Sequence, residues 1–441
     1  LQVINHFLMK MIFRIALLTM VSLPVHSQSY IAGYDVSKED ILRSIPVEYI
    51  SKVRSDLHVA YQHTSHGTHV SYGLFGLPDY KPGDDTLFAI SKSNDAGKLD
   101  FRDYALKSYA PSGVNGSDLS TEETAFIQTT RNYLDAPENA RINVVMWSWC
   151  SIIGHDVAGH YLPGMDSLIS EYGEGGSKTG TGAGQREEPV TFIFMTGHAE
   201  ANSNTGNGMP KNQAALITDH CNTKGYYCLD YYSIDTHDMD DNYWEDAADD
   251  GSSDAYGGNF YKEWQDAHVL GVDYYENRST PGGEVAYGIH TSQHITSNRK
   301  AYAMWWILAR IAGWDGHPAP VLVSSIRVSS EGDVTEIPAG DSLQFSAEVM
   351  PEDATDPSVS WSVEGGTGEA AITQDGMLTA VSAGTVNVTA TARDGSGIKG
   401  SMEISIINPV VLVTEILVNS EEGVTEIPAG DSLQFSAEVM P

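Results

Sequence analysis

Residues 57–69 read LHVAYQHTSHGTH. The run 57–61 is apolar apart from His58 and ends abruptly in polar residues. An apolar run of that length suits a strand buried on both faces of a parallel sheet. Three other stretches resemble it: 142–147 (INVVMW), 190–195 (VTFIFM) and 227–231 (YCLDY). Helical text lies between them. Ser120-Thr121-Glu122-Glu123 has the form of a capping box opening a helix to Leu134. Residues 210–223 read as another helix with Gly225 near its end. Residues 298–312 (NRKAYAMWWILARIA) read as a third, stopped by Gly313. Strand and helix alternate, so 28–315 is expected to be an α/β domain: a three-layer sheet with helices on both faces.

In such a sheet the ligand site lies beyond the carboxyl ends of the strands. The first strand exits into Gln62, His63, Thr64, Ser65, His66, Gly67, Thr68 and His69. The second exits into Ser148-Trp149-Cys150-Ser151 and the third into Thr196-Gly197-His198-Ala199-Glu200-Ala201-Asn202. The fourth exits into Ser233-Ile234-Asp235-Thr236-His237-Asp238. Gly288-Ile289-His290-Thr291-Ser292-Gln293-His294 precedes the last helix. Any one of these stretches could be loop solvation; five on one edge point to a site.

A serine beyond the first strand, followed by glycine, can sit at a helix start where free amides stabilise an oxyanion. Its hydroxyl needs a base from elsewhere in the chain, and a histidine before the last helix is well placed. This pattern resembles the SGNH hydrolase superfamily, a flavodoxin-like fold. It is closer to exported bacterial proteins of that broad type with HTSHG-, WSWC- and KAYAxWWxxARxAGW-like motifs, here at 63–67, 147–150 and 300–314. The resemblance implies Ser65 as nucleophile and His290 or His294 as base. It implies oxyanion and substrate contacts from Gly67, His198, Asn202, His63 and Trp149. Two family features are missing. Position 287 is Tyr and position 291 is Thr where an aspartate would precede the base by three, and Gly197-His198-Ala199 lacks the asparagine of Gly-x-Asn. Asp266, with Asp235 and Asp238 as alternatives, is the expected orienting acid.

A metal site is the main rival on the same text. His63, His66 and His69 recur at spacing three, and His198, His237 and Asp235 stand at other strand exits. Imidazole and carboxylate can hold zinc, but HTSHGTH lacks the HExxH arrangement, so no metal or cofactor is expected at the serine site. The acidic loop 235–254 is a candidate calcium site without an EF-hand register. Aromatic residues in and near it (Tyr231, Tyr232, Tyr243, Trp244, Tyr256, Phe260, Tyr261, Trp264) are candidates for a sugar-stacking wall, with half of them expected in the core. There is no GxSxG elbow, Walker loop or GxGxxG after a strand, which argues against nucleotide chemistry.

The 441 residues carry 59 acidic against 25 basic side chains, a formal charge of −34. Such a surface repels phosphate backbones and anionic lipid, so nucleic-acid and membrane-surface partners are not expected. Residues 1–8 read as a translated leader before Met9. Lys10, Arg14, the apolar 15–23 and Val25-His26-Ser27 then form a secretory signal peptide, which places the protein outside the cell or on its surface. No other apolar run is long enough to span a membrane. Export permits a local Cys221–Cys228 disulfide and leaves Cys150 as a buried thiol.

VTEIPAGDSLQFSAEVMP occurs at 334–351 and again at 424–441. A repeat of that period is a tandem domain. Within 321–408 the runs SLQFSAEV, SVSWSV, GMLTAV, GTVNVTATA and SMEISI alternate between turns, as in an antiparallel sandwich. The unit resembles a bacterial immunoglobulin-like domain. It is joined through a linker at 316–320, and 409–441 reads as the truncated start of a second copy from a longer protein, disordered or loosely attached. Gly340-Asp341-Ser342-Leu343 spells GDSL but enters a strand, so Ser342 is set aside as a nucleophile. The reading is a secreted serine hydrolase, an esterase acting on acylated carbohydrate, of unassigned oligomeric state. The alternatives are a polysaccharide lyase or metal-dependent hydrolase using the His/Asp cluster, and a non-catalytic carbohydrate-binding surface protein.

Overall fold

A computed structural model describes residues 30–318, 320–410 and 412–441. The leader and signal peptide expected over 1–27 lie outside the described residues. The chain divides into two compact units between residues 318 and 319.

The large sheet of the first unit is built of seven strands: β1 (Ile31–Ala32), β2 (His58–Gln62), β3 (Ile90–Ser91), β4 (Leu99–Asp103), β5 (Val144–Trp147), β6 (Thr191–Met195) and β7 (Tyr227–Leu229). Their order is β1-β7-β6-β5-β2-β4-β3 and every pairing is parallel. The run β4-β2-β5-β6-β7 is the doubly wound 2-1-3-4-5 pattern, whose winding reverses between β2 and β5. The helices are α1 (Glu39–Ser44), α2 (Val47–Asp56), α3 (Thr68–Gly76), α4 (Asp84–Leu87), α5 (Ala125–Leu134), α6 (Leu162–Tyr172), α7 (Pro210–Lys224), α8 (Tyr231–Thr236), α9 (Phe260–Asp266) and α10 (Ile295–Ile311).

The apolar strands have a physical cause in the two cores. Val59, Tyr61, Val144, Met146, Ile193 and Met195 pack on one face with Val53, Leu74 and Trp305 of the helices there. Ala60, Val145, Trp147, Phe192 and Phe194 pack on the other with Phe126, Met165 and Ile217. Side chains alternate between faces along a strand, and both faces are covered, so no position is left for a polar residue. Each large side chain fully buried this way contributes roughly 1.5–3 kcal/mol.

Two local expectations change. The Ser120–Glu123 box does not open the helix: Asp118 caps a short 3₁₀ turn through the Ser120 amide, and α5 starts at Ala125. Glu123 instead accepts from the Asp156 amide. Strands β3 and β4 were not foreseen, because β4 (LDFRD) carries charges. Asp100 there is buried but bonded to His58 at 3.1 Å and to Arg102.

In the second unit, β10 (Ser325–Ser330), β12 (Ser342–Met350), β15 (Met377–Ser382) and β14 (Glu369–Ile372) form one sheet. β11 (Glu336–Pro338), β17 (Lys399–Ile407), β16 (Gly384–Ala392) and β13 (Val359–Gly365) form the other. A short β8–β9 ribbon (Ser252–Ser253, Gly258–Asn259) precedes them in the chain. Phe345, Leu378, Trp361, Val388 and Ile404 meet in the sandwich core. Ser342 lies at the start of β12 with its hydroxyl 3.2 Å from that of Thr379, a strand position as expected. In 412–441 the disorder offered as one expectation is not found: β18 (Glu415–Ser420) pairs with β19 (Phe435–Met440) as an antiparallel hairpin. Its register, Glu415 opposite Met440 to Ser420 opposite Phe435, repeats that of β10 with β12.

Candidate functional site

Strand β2 ends at Gln62. Ser65 then opens a single 3₁₀ turn, Ser65–Gly67, that runs into α3. The turn therefore sits at the carboxyl edge of the sheet, beside the winding reversal. The Ser65 hydroxyl lies 3.1 Å from His290 Nε2, a contact across 225 positions of chain. Both residues have positive φ, 26° at Ser65 and 71° at His290. Such backbone costs about 1–3 kcal/mol per non-glycine residue and persists only where the surroundings impose it. The imposing contacts are local. Thr68 Oγ1 donates to the Ser65 carbonyl at 2.7 Å and accepts from the Ile289 amide at 2.9 Å. His69 Nε2 donates to the Ile289 carbonyl at 2.7 Å. Gly288 must be glycine, since a Cβ there would lie 2.1 Å from the His69 ring.

A stack of imidazoles continues from this pair. The His66 ring centroid is 4.5 Å from that of His290 and 3.5 Å from that of His198. His66 Nε2 lies 3.4 Å from Asp249 Oδ2. Burial, then the neighbouring imidazoles His198 and His290, push His66 down to about 2, so it is neutral. Burial, then the charge of Asp235, pushes the Asp249 carboxyl up to about 8. His198 places Nδ1 2.9 Å from the Ala199 carbonyl and Nε2 2.8 Å from the Cys150 carbonyl, with Glu200 Oε1 3.3 Å from Nε2. Ligand atoms of His66, His198 and Asp249 all lie within 4.8 Å of one another, which makes these three the metal-capable group among the described residues.

Behind the stack lies a buried ion pair. Lys300, inside the apolar helix α10, donates to Asp235 Oδ1 at 2.6 Å, and both side chains are fully enclosed. Asp235 Oδ2 accepts from the Ala199 amide, which fixes the residue after His198. Tyr231, whose ring Lys300 overlies at 4.4 Å, donates from its hydroxyl to the His66 carbonyl.

The other expected site residues scatter. His294 is not the base: its Nδ1 accepts from the Asn277 amide, its ring stacks on Tyr287, and it opens α10. Asp266 is not the orienting acid, because it is exposed and paired with Lys262 on its own helix. Asp238 accepts from Trp244 and Asn242. Among the described residues no carboxylate is bonded to His290. The Gly67 amide is spent on the Thr64 carbonyl and is not an oxyanion donor. Gly67 serves packing, since a Cβ would meet His63 and Ser148 at 2.3 Å. Asn202 turns outward to Asp254. Trp149 is core, donating to the Met195 carbonyl. His63 is buried against Asp103 at 2.6 Å. The three histidines of HTSHGTH therefore point three ways, and His237 stacks on Tyr34 away from them.

In the acidic loop Asp246 and Asp250 bind nearby hydroxyls and amides, while Asp235 and Asp249 turn inward. Of the aromatic residues there, Tyr231, Tyr232, Phe260 and Tyr261 are buried and Tyr243 is exposed. Cys221 and Cys228 are buried free thiols, not a disulfide, and Cys150 is also free. Asp249 and Lys300 were missed. Asp249 is one acid among many in 235–254. The signal for Lys300 was available: a lysine leading directly into the apolar run 301–309 of a helix requires a buried partner.

Residues 322–400 match the bacterial Ig-like domain (group 2). A tail tube protein of Escherichia phage T5 is 39% identical over 94 residues, which are 21% of this chain and 20% of that protein. A Clostridium acetobutylicum protein is 34% identical over 121 residues, 27% of this chain and 12% of that one. The chain thus spans a small part of either relative. The endo-β-1,4-mannanases of Cellulomonas fimi and Thermotoga petrophila align over 83% and 81% of this chain and 81% and 99% of theirs. Their identities are 14% and 11% and their TM-scores 0.20 and 0.19, too low to indicate a shared fold. No helix among the described residues is long and apolar enough to cross a membrane. What the comparisons identify is the second unit, whose residues 322–400 have the sequence and the two-sheet architecture of a bacterial Ig-like domain.

Proposed function

We propose that the α/β unit is a serine-dependent hydrolase of the SGNH type, an esterase acting on acylated carbohydrate outside the cell. One observation carries the reading: a hydroxyl and an imidazole 225 positions apart meet at 3.1 Å, on strained turns, at the ligand edge of a doubly wound sheet. His290 Nε2 takes the Ser65 proton as Oγ bonds to the acyl carbon. The imidazolium then gives that proton to the departing sugar oxygen as the ester bond breaks. Water, deprotonated by the same nitrogen, releases the acid and restores Ser65. The stacked His66 ring and the Ile289 contacts hold His290 where a third residue would otherwise orient it, so the machinery is a dyad. The Ig-like module supports a secreted or surface location. The carbohydrate part of the reading is supported by the export expected from residues 9–27 and by the half-buried and exposed aromatics of 243–264.

A fluorophosphonate probe tests this. It is expected to label the full chain at Ser65 and to leave Ser65→Ala unlabelled, and Ser65→Ala is expected to lose at least about 10³-fold in turnover of acetylated polysaccharides. Turnover that survives Ser65→Ala overturns the reading.

A further inference from the structure

Two buried atoms at the imidazole stack have no hydrogen-bond partner: Asp249 Oδ2 and His66 Nδ1. Asp249 is only 7% exposed, and its free oxygen faces His66 Nε2 at 3.4 Å. An unpaired carboxylate oxygen costs about 1–3 kcal/mol or more at such a position. Both nitrogens of His198 lie against carbonyl oxygens, at 2.9 and 2.8 Å. The Cys150 carbonyl is also approached by His66. Two imidazoles and the Asp249 carboxyl thus converge, with ligand atoms within 4.8 Å of one another.

We propose that His66, His198 and Asp249 hold a divalent transition-metal ion of the zinc class beside the Ser65–His290 pair. Two imidazoles and a carboxylate are borderline ligands that suit zinc, not calcium. Glu200 Oε1, 3.3 Å from His198 Nε2 and held by Ser151, is a further carboxylate donor at the site. The outer contacts are those a metal-bound histidine needs: Nδ1–H donates to the Ala199 carbonyl, and the Ala199 amide is anchored on Asp235, which Lys300 neutralises. The inference stands apart from the serine reading. Joined to it, an ion held by these three residues would offer a positive charge beside the Ser65–His290 pair, where the Gly67 amide is already engaged by the Thr64 carbonyl.

The test uses the full chain. After growth in zinc and passage over a chelating resin, the metal content is expected to be about one zinc per chain. The cobalt(II)-substituted protein is expected to show the visible bands of a site with nitrogen ligands and low coordination number. His66→Gln and Asp249→Asn are each expected to weaken zinc binding by at least about tenfold, and Ser65→Ala to retain it. A zinc content below roughly a tenth of that value, or binding unaltered in both variants, overturns the proposal; the latter would place the ion on the acidic surface. Should a variant fail to fold, the wild-type cobalt spectrum decides, since weak octahedral absorption counts against the site. Fluorophosphonate labelling without zinc would sink this proposal alone, and zinc without labelling would sink the serine reading alone.

Discussion

Two histidines four positions apart have different work. His290 faces the Ser65 hydroxyl, while His294 is tied to Asn277 and Tyr287. His290→Gln is expected to lower ester turnover at least about 100-fold with little change in stability. His294→Gln is expected to keep turnover within a few-fold and to lower stability by about 0.5–2 kcal/mol, measured by urea denaturation. Burial holds His69, His237 and His294 below the ordinary histidine value in the folded chain. Each binds a proton when unfolded but not when folded. Their contribution to stability is therefore full above about pH 6.5 and lost as pH falls below it, up to about 1.4 kcal/mol per pH unit for each group. Denaturation curves at pH 7.5 and 5.5 should show that decline, and His294→Gln should make it shallower. A stability unchanged between the two pH values would contradict the burial argument.

Helices α3 and α10 position the reacting pair, because Ser65 lies just before one and His290 just before the other. Gly73 of α3 lies directly on the Ser297 carbonyl of α10, where a Cβ would sit 2.1 Å away. Gly73→Ala must push the helices apart. The expected cost is about 1–3 kcal/mol, with a fall in kcat larger than any change in KM. Lys300→Met strands Asp235 as a buried charge and is expected to cost about 3–5 kcal/mol, partly recovered when Asp235→Asn is added. These elements also show what could be read beforehand. Strands β2, β5, β6 and β7 and the helix α10 were legible because cover on two faces leaves runs of largely apolar text, as at 144–147, 192–195 and 301–309. β4 was not, because Asp100 and Arg102 satisfy each other in a way that periodicity does not register. Ser65, and a histidine at 290 or 294, were legible from their places at the edge of predicted elements, but the choice between the two histidines was not. Asp249 was not, since its inward turn depends on tertiary contacts, and Trp149 was misplaced because an indole after a strand can turn either way.

At the scale of the molecule the two units have separate cores. Leu378→Ala, in the sandwich, is expected to cost about 2–5 kcal/mol and to shift one calorimetric transition while leaving the other, and ester turnover, in place. A single transition that moves as a whole would show that the units melt together. Within the α/β unit, the two positive-φ turns are kept in their unfavourable shape by the contact of Thr68 and His69, at the start of α3, with Ile289. When that contact slackens, both turns are expected to relax toward ordinary backbone and the hydroxyl to swing away from the ring. The ester turnover proposed for the pair is therefore expected to fade under gentle warmth or dilute urea before the spectroscopic signs of the native state change.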